Sequence, residues 1–158
     1  MTNENKDQNQ EVVEESSMDL SFFMPGKAEQ VEVVEAPISQ RFKDAKGKII
    51  PFQFKPITTD RVDELEKFHT KPVIKGNKKV GERVDQARFM AHIAVESTIY
   101  PNFKDEKMRK AYKSEDPIEI AKKVLNVVGE YTNWMSKASE VNGFEDSLDD
   151  LEEIAKNS

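Results

Sequence analysis

A proline directly after a long apolar stretch places the strongest constraint on the fold of this chain. Residues Glu82–Ile99 have apolar side chains at helical spacing, which predicts one long and largely buried helix. Pro101 disfavours helical backbone at the residue before it, so this helix has to end near Tyr100. With no reactive residue close by, the sequence predicts a tight structural corner formed by Tyr100, Pro101, Asn102 and Phe103.

Further helices are predicted from capping residues and apolar spacing. Asp116 precedes Pro117 at the first helical position, and this is a strong helix start. Asn142-Gly143 provides a helix end, because glycine accepts the left-handed conformation after a last turn. Gly129 is predicted to separate two helices. The predicted helices cover residues 58–69, 82–99, 104–112, 116–128, 130–142 and 147–158.

Alternating apolar residues ahead of these helices predict a small amount of β structure. Ile50, Phe52 and Phe54 share one face at a period of two, and residues 44–47 supply a turn. We therefore expect a small N-terminal β-hairpin near residues 38–55, or a three-stranded sheet, with its prolines restricting the strands to edge or bulged positions. The lysine-rich stretch 71–82 is predicted to be a solvated loop.

The negative charge of the chain lies at its two ends. Residues 1–17 carry five acidic side chains against one lysine, and residues 144–158 carry six against one. We predict a disordered acidic tail over 1–17, a helical domain over 18–144, and an acidic C-terminal helix or tail over 145–158. The predicted fold class is mainly α: a compact bundle of short helices with the small hairpin.

The short stretch MDLSFFMP is very apolar for its length. Leu20, Phe23 and Met24 stand at helical spacing before Pro25 ends the segment. Two interpretations stay open at this point: the segment docks on the core of its own domain, or it is an anchor for a partner.

The composition excludes several kinds of chemistry. The chain has no cysteine, so disulfides, thiolate nucleophiles and cysteine-based zinc sites are excluded. His69 and His92 lack a metal-binding spacing, and neither a phosphate-binding glycine loop nor a hydrolase motif is present. We expect no enzyme activity, no cofactor and no metal. With neither an apolar leader nor a spanning segment, the chain is expected to be soluble and cytoplasmic.

Several motifs in this order resemble those of a known family. They include MDLSFFMP, ISQRFKDAKGK, FKPIT, IAVESTIYPNFKDEKMRKAY, VLNVVGEY and VNGF, which together cover roughly residues 18–144. The chain resembles the phage tail assembly chaperones of the XkdN-like type, found with contractile tails in phages and prophages of Gram-positive bacteria. Its most specific matches are residues 97–102, STIYPN, and the stretch from Gly129 to Phe144.

The resemblance implies a non-catalytic helper in the host cytoplasm, absent from the mature virion. Such a protein would bind the tape measure protein, keep it soluble and assist assembly of the tail tube. Implied further partners are the tail tube protein and a frameshifted longer form of the chain itself. A chaperone of this kind needs an exposed apolar surface, for which the candidate residues are Leu20, Phe22, Phe23, Leu148 and Leu151.

Two other functions compete with this interpretation. A structural or minor tail protein of the virion would share the same gene context but keep a permanent place in the particle. A small nucleic-acid-binding regulator would use the basic stretch 71–83, although the aromatic residues stand at core-like helical spacing rather than among basic side chains. Neither membrane nor nucleic acid is therefore an expected partner.

Overall fold

The computed structural model describes residues 18–145 and 148–158, and the chain divides into two compact units, residues 1–31 and 32–158. The described part of the first unit contains a 3₁₀ helix, Leu20–Phe23. The disorder predicted for residues 1–17 lies outside the described residues, as does the helix start predicted at Ser147. The domain boundaries inferred from the sequence stay a prediction.

The described residues of the second unit form five strands and six α-helices. In chain order these are β1 Val34–Ala36, β2 Phe52–Phe54, α1 Thr59–Phe68, β3 Thr70–Lys75, β4 Lys78–Val84, α2 Gln86–Ser97, β5 Thr98–Tyr100, α3 Glu106–Tyr112, α4 Pro117–Val124, α5 Val128–Val141 and α6 Leu148–Asn157.

The predicted N-terminal hairpin is part of a three-stranded antiparallel sheet. Strand β2 lies in the centre, between β1 and β5, with Val34 opposite Phe54 and Ala36 opposite Phe52. The Gly47 N–H donates to the Asp44 carbonyl at 3.0 Å, which forms the predicted turn. Strand β5 corrects the prediction of one helix to Ile99, because Thr98–Tyr100 pairs with β2 instead.

The lysine-rich stretch 71–82 is not a loop, which corrects a second prediction. Strands β3 and β4 pair along their length, from Thr70 opposite Val84 to Lys75 opposite Lys78. Gly76 adopts a left-handed φ of 64° in the two-residue turn between them. This hairpin forms a sheet of its own, and most of its side chains are exposed.

The helix ends largely follow the capping signals. The Asp116 carboxylate accepts from the Ile118 N–H at 2.9 Å, with Pro117 in the first helical turn. At the C-terminal end of the next helix, α5, the Phe144 N–H donates to the Ser139 carbonyl at 3.1 Å, and Gly143 has a φ of 76°. This is a Schellman motif, in which two N–H groups after the helix satisfy its last carbonyls.

Gly129 does not separate two helices, contrary to the prediction. Helix α4 already ends at Val124, and Gly129 lies in the first turn of α5. Val127 precedes α5 and Val128 begins it, and their side chains are 50% and 82% exposed.

Two hydrophobic clusters hold the second unit together. The larger one joins the sheet to helices α2, α4 and α5 around Trp134, Phe54 and Phe103, which are fully buried. The Trp134 Nε1–H donates to Thr98 Oγ1 at 2.8 Å, so its one polar atom is satisfied inside the core. A smaller cluster contains Leu65, Phe89 and Ile93, between α1 and α2.

The fold is mixed α and β rather than the mainly α bundle that was predicted. The short helices are present, but two sheets contribute to the described structure, and the central strand β2 carries two core phenylalanines. Among the described residues, no helix is long and apolar enough to cross a membrane.

Candidate partner-binding surfaces

The predicted partner-binding residues near the N-terminus lie on the 3₁₀ helix with their side chains in solvent. Leu20, Phe22 and Phe23 are 66%, 64% and 85% exposed. The Asp19 carboxylate accepts from the Ser21 N–H at 2.9 Å and caps this helix. The cap therefore fixes the local backbone while the large apolar side chains remain accessible.

The second predicted pair lies on helix α6, which has the same character. Leu148 and Leu151 are 77% and 50% exposed, and the structure adds Ile154 to the same stripe at 64%. These positions stand three residues apart and so lie on one side of the helix. No residue of α6 is buried. The stripe is open to a partner.

The predicted corner has a buried half and an exposed half. Phe103 is fully buried, with its ring centroid 5.5 Å from that of Trp134 in an edge-to-face arrangement. The Asn102 side chain accepts from the Lys104 N–H at 3.0 Å and forms the turn before α3. Tyr100, which is joined to Pro101 by a cis peptide bond, is 49% exposed. The two aromatic residues of the corner thus have different environments.

An apolar groove lies beside this corner, and no pattern in the sequence predicted it. It has a volume of about 230 Å³, and we call it the corner groove. The side chains that line it come from the hairpin, the corner and helices α3 and α4: Phe42, Ile50, Phe52, Tyr100, Pro101, Met108, Tyr112 and Val124. Because these positions range from Phe42 to Val124, only the tertiary fold brings them together.

An ion pair between the exposed Arg41 and the buried Glu130 links the hairpin to the start of α5. Arg41 donates to both carboxylate oxygens of Glu130, at 2.6 and 2.8 Å, and the Ser39 hydroxyl donates to Oε2. The Arg41 guanidinium lowers the pKa of Glu130 to about 2, with the Ser39 hydroxyl and the Val127 N–H assisting. Glu130 is therefore a structural anion at neutral pH.

The two histidines lie together, which their separation in the sequence did not predict. His69 Nε2 and His92 Nδ1 are 2.8 Å apart, and His92 Nε2 is 3.8 Å from Glu96 Oε1. Burial lowers the pKa of both histidines, and each is also close to positive charge. One neutral ring therefore donates to the other.

Both carboxylate oxygens of Glu96 accept hydrogen bonds from basic side chains. Its carboxylate oxygens bond to Arg61 at 2.5 Å and to Lys104 at 2.7 Å. Burial raises its pKa, but the hydrogen bonds from Lys104 and Arg61 outweigh burial, so its pKa lies below the ordinary value. Within residues 18–145 and 148–158, no group of His, Asp and Glu side chains could hold a metal ion.

The β3–β4 hairpin carries the basic residues considered for nucleic-acid binding. Lys71 lies opposite Arg83 and Lys75 opposite Lys78, so like charges face each other across the strands. Its exposed apolar residues, Ile74 and Val80, are 61% and 57% exposed. No aromatic residue lies among these basic residues, so none is placed there to stack on a nucleobase.

Comparison with known proteins identifies the family. Residues 20–156 match the family described as phage XkdN-like tail assembly chaperone protein. The chain belongs to this family. The match confirms the resemblance found in the sequence and extends it through α6.

Two relatives from Bacillus subtilis (strain 168) are similar over nearly their whole length. The phage-like element PBSX protein XkdN is 58% identical over 144 residues, which cover 90% of this chain and 97% of that protein. The protein YqbN is 58% identical over 144 residues, covering 90% and 96%. A crystal structure of YqbN matches with a TM-score of 0.72 at 55% identity, covering 80% of this chain and 98% of that one.

Proposed function

We propose that this protein is a cytoplasmic tail assembly chaperone that binds the tape measure protein, keeps it soluble and assists assembly of the tail tube. Membership of the chaperone family supports the general role. The observation that carries the choice of partner is the exposed apolar side chains of the 3₁₀ helix and of α6. The tape measure protein is a long helical protein, and its apolar faces have to be shielded from water until the tail encloses it.

The physical case rests on complementary apolar surfaces. Leu20, Phe22 and Phe23 are each more than half exposed in a segment of four residues. Burying one such side chain contributes roughly 1.5–3 kcal/mol. Clustered large apolar side chains in water mark interaction sites more often than isolated ones do. An amphipathic helix of the partner can cover them, as in other complexes in which a helix binds an apolar surface.

The decisive experiment is co-expression with the neighbouring tape measure gene, followed by co-purification. We expect the wild-type chain to retain the tape measure protein in the soluble fraction. The double variant Phe22→Ser/Phe23→Ser should lose the complex while its circular dichroism melt stays nearly unchanged. Ile74→Ser/Val80→Ser is the matched control, since it also removes two exposed apolar side chains, and it should keep the complex.

Two results would contradict this proposal. A large fall in melting temperature for Phe22→Ser/Phe23→Ser would place these side chains in a packed core instead of at a binding surface. Detection of the chain in purified virions would favour the alternative of a minor tail protein. The tail tube protein and a frameshifted longer form of the chain stay predicted partners, and the same co-purification with their genes added would test them.

A further inference from the structure

The corner groove and helix α6 have complementary surfaces. The groove offers apolar side chains, and α6 exposes Leu148, Leu151 and Ile154 in one stripe. In the single chain α6 leaves this stripe in solvent, and the groove is open. We propose that α6 of one copy docks into the corner groove of a second copy, so that the protein self-associates through reciprocal exchange of this helix.

Four lysines lie next in sequence to residues that line the groove, and we call these four positions the rim. Lys43, Lys107, Lys113 and Lys123 are each adjacent in sequence to a groove-lining residue, and all four are exposed. In the part of the chain that the structure describes, none of the four makes an ion pair; Lys123 donates to the Tyr112 carbonyl at 3.1 Å. These lysines therefore place unpaired cationic side chains close to the apolar lining of the groove.

Helix α6 carries the opposite charge beside its apolar stripe. Asp149 follows Leu148, Glu152 follows Leu151, and Glu153 precedes Ile154. None of these three acids forms an ion pair within the described residues. An acidic helix with an apolar stripe therefore fits a basic-rimmed apolar groove in both properties, and electrostatic complementarity of this kind fixes both orientation and choice of partner.

Reciprocal exchange favours a closed dimer. Each copy contributes one α6 and one groove, so a twofold axis lets both helices dock at once and leaves neither stripe exposed. This inference does not depend on the proposed function. The inference does have a consequence for the proposed function. Leu148 and Leu151 belong to both surfaces, so the dimer and a tape measure complex would compete for α6.

The test is the mass of the full chain in solution, measured by sedimentation over a range of concentrations without any tape measure protein. We expect the wild type to pass from 18.1 kDa to twice that mass as concentration rises. Leu151→Ser/Ile154→Ser should remain at the monomer mass. Ile74→Ser/Val80→Ser, the matched control on the β3–β4 hairpin, should associate like the wild type.

A charge exchange makes the test specific to these two surfaces. Lys43→Glu/Lys107→Glu on the rim should raise the dimer dissociation constant about tenfold or more, and Glu152→Lys/Glu153→Lys on α6 should do the same. Combining all four substitutions restores opposite signs and should bring back most of the affinity. Rescue of this kind cannot come from a general loss of folding.

Three outcomes would overturn the proposal. The first is a monomer mass for the wild type at the highest concentration that it reaches in solution. The second is a dimer that neither the α6 variant nor the rim variant weakens, since its contact would then lie elsewhere. The third is a monomer in which α6 resists proteolysis until Leu151→Ser/Ile154→Ser releases it, which would place the helix in the groove of its own chain.

Discussion

The corner around Phe103 and helix α6 are both short segments with apolar side chains, but their surroundings differ completely. Phe103 is fully buried against Trp134 and Phe52. On α6, the least exposed large apolar side chain, Leu151, is still 50% exposed. The two segments have similar sequence signals, namely apolar spacing next to a cap or turn, yet one is buried and the other is exposed.

The difference shows what apolar spacing can and cannot indicate. It predicts which residues share a side of a helix, because this depends on the local backbone. Whether another element covers that side depends on the rest of the fold, or on another molecule. We therefore expect changes at the buried Phe103 to alter stability, and changes at the exposed residues of α6 and the 3₁₀ helix to alter binding.

The largest expected effect on the free energy of unfolding comes from removing the buried ring of Phe103. Phe103→Ala should lower the free energy of unfolding by roughly 3–5 kcal/mol, because it removes buried apolar surface and leaves a cavity. Chemical denaturation followed by circular dichroism measures this directly. Tape measure binding should fall only in parallel with the loss of fold across a temperature series. If the variant keeps wild-type stability but loses the partner, the corner is itself a contact surface.

The Arg41–Glu130 pair should show the next largest effect. Arg41→Ala leaves the buried carboxylate without its main donor, so it should lower the free energy of unfolding, by less than Phe103→Ala does. The pKa of Glu130 is lowered from 4.5 to about 2, so its stabilisation is present above about pH 4.5 and is lost as pH falls towards about 2. Unfolding curves of wild type and Glu130→Gln should therefore converge over this range. A constant difference would contradict the ion-pair assignment.

The histidine pair should give a smaller effect in a different pH window. Both histidines have a pKa below the ordinary 6.5, with burial as the main cause. Their folded forms resist protonation, so stability should be full above about pH 6.5 and should fall as pH drops below it. His92→Gln should reduce this slope. An unchanged slope between wild type and variant would show that the pair does not control it.

Phe23→Ala is the exposed counterpart of Phe103→Ala and should have the smallest effect on stability. The ring is 85% exposed, so the change in unfolding free energy should stay within about 0.5 kcal/mol. The same chemical denaturation that measures Phe103→Ala provides the comparison. A fall in the free energy of unfolding of more than about 1 kcal/mol would mean that this ring packs against other residues in the folded protein. Phe23 and Phe103 would then no longer differ in this respect.

Local signals in the sequence predicted much of the helical structure. Asp116-Pro117 and Asn142-Gly143 mark helix ends in the structure because capping depends on neighbouring residues alone. The β3–β4 hairpin also had a local signal, the Gly76-Asn77 pair between two extended runs, but the density of lysines favoured a loop. Strand β5 had none, because its pairing with β2 joins residues far apart in the sequence.

The candidate surfaces also divide into those that local sequence signals predicted and those that they did not. The apolar residues of the 3₁₀ helix and of α6 could be selected from the sequence, because each set lies within one short segment. The corner groove, the Arg41–Glu130 pair and the His69–His92 pair could not, since each joins distant segments. The family was recognisable from its motifs, which are continuous stretches.

The Arg41–Glu130 pair also has a consequence for the order in which the chain becomes complete during synthesis. Glu130 follows Arg41 by 89 residues, so at a translation rate of roughly 5–20 residues per second it is made about 4–18 s later. Glu130 and Trp134 are missing throughout that interval, and strand β5 (Thr98–Tyr100) is made only in its second half. Because a two-stranded hairpin alone is marginal in water, we expect Phe52 and Phe54 to stay uncovered on the nascent chain until these later residues leave the ribosome.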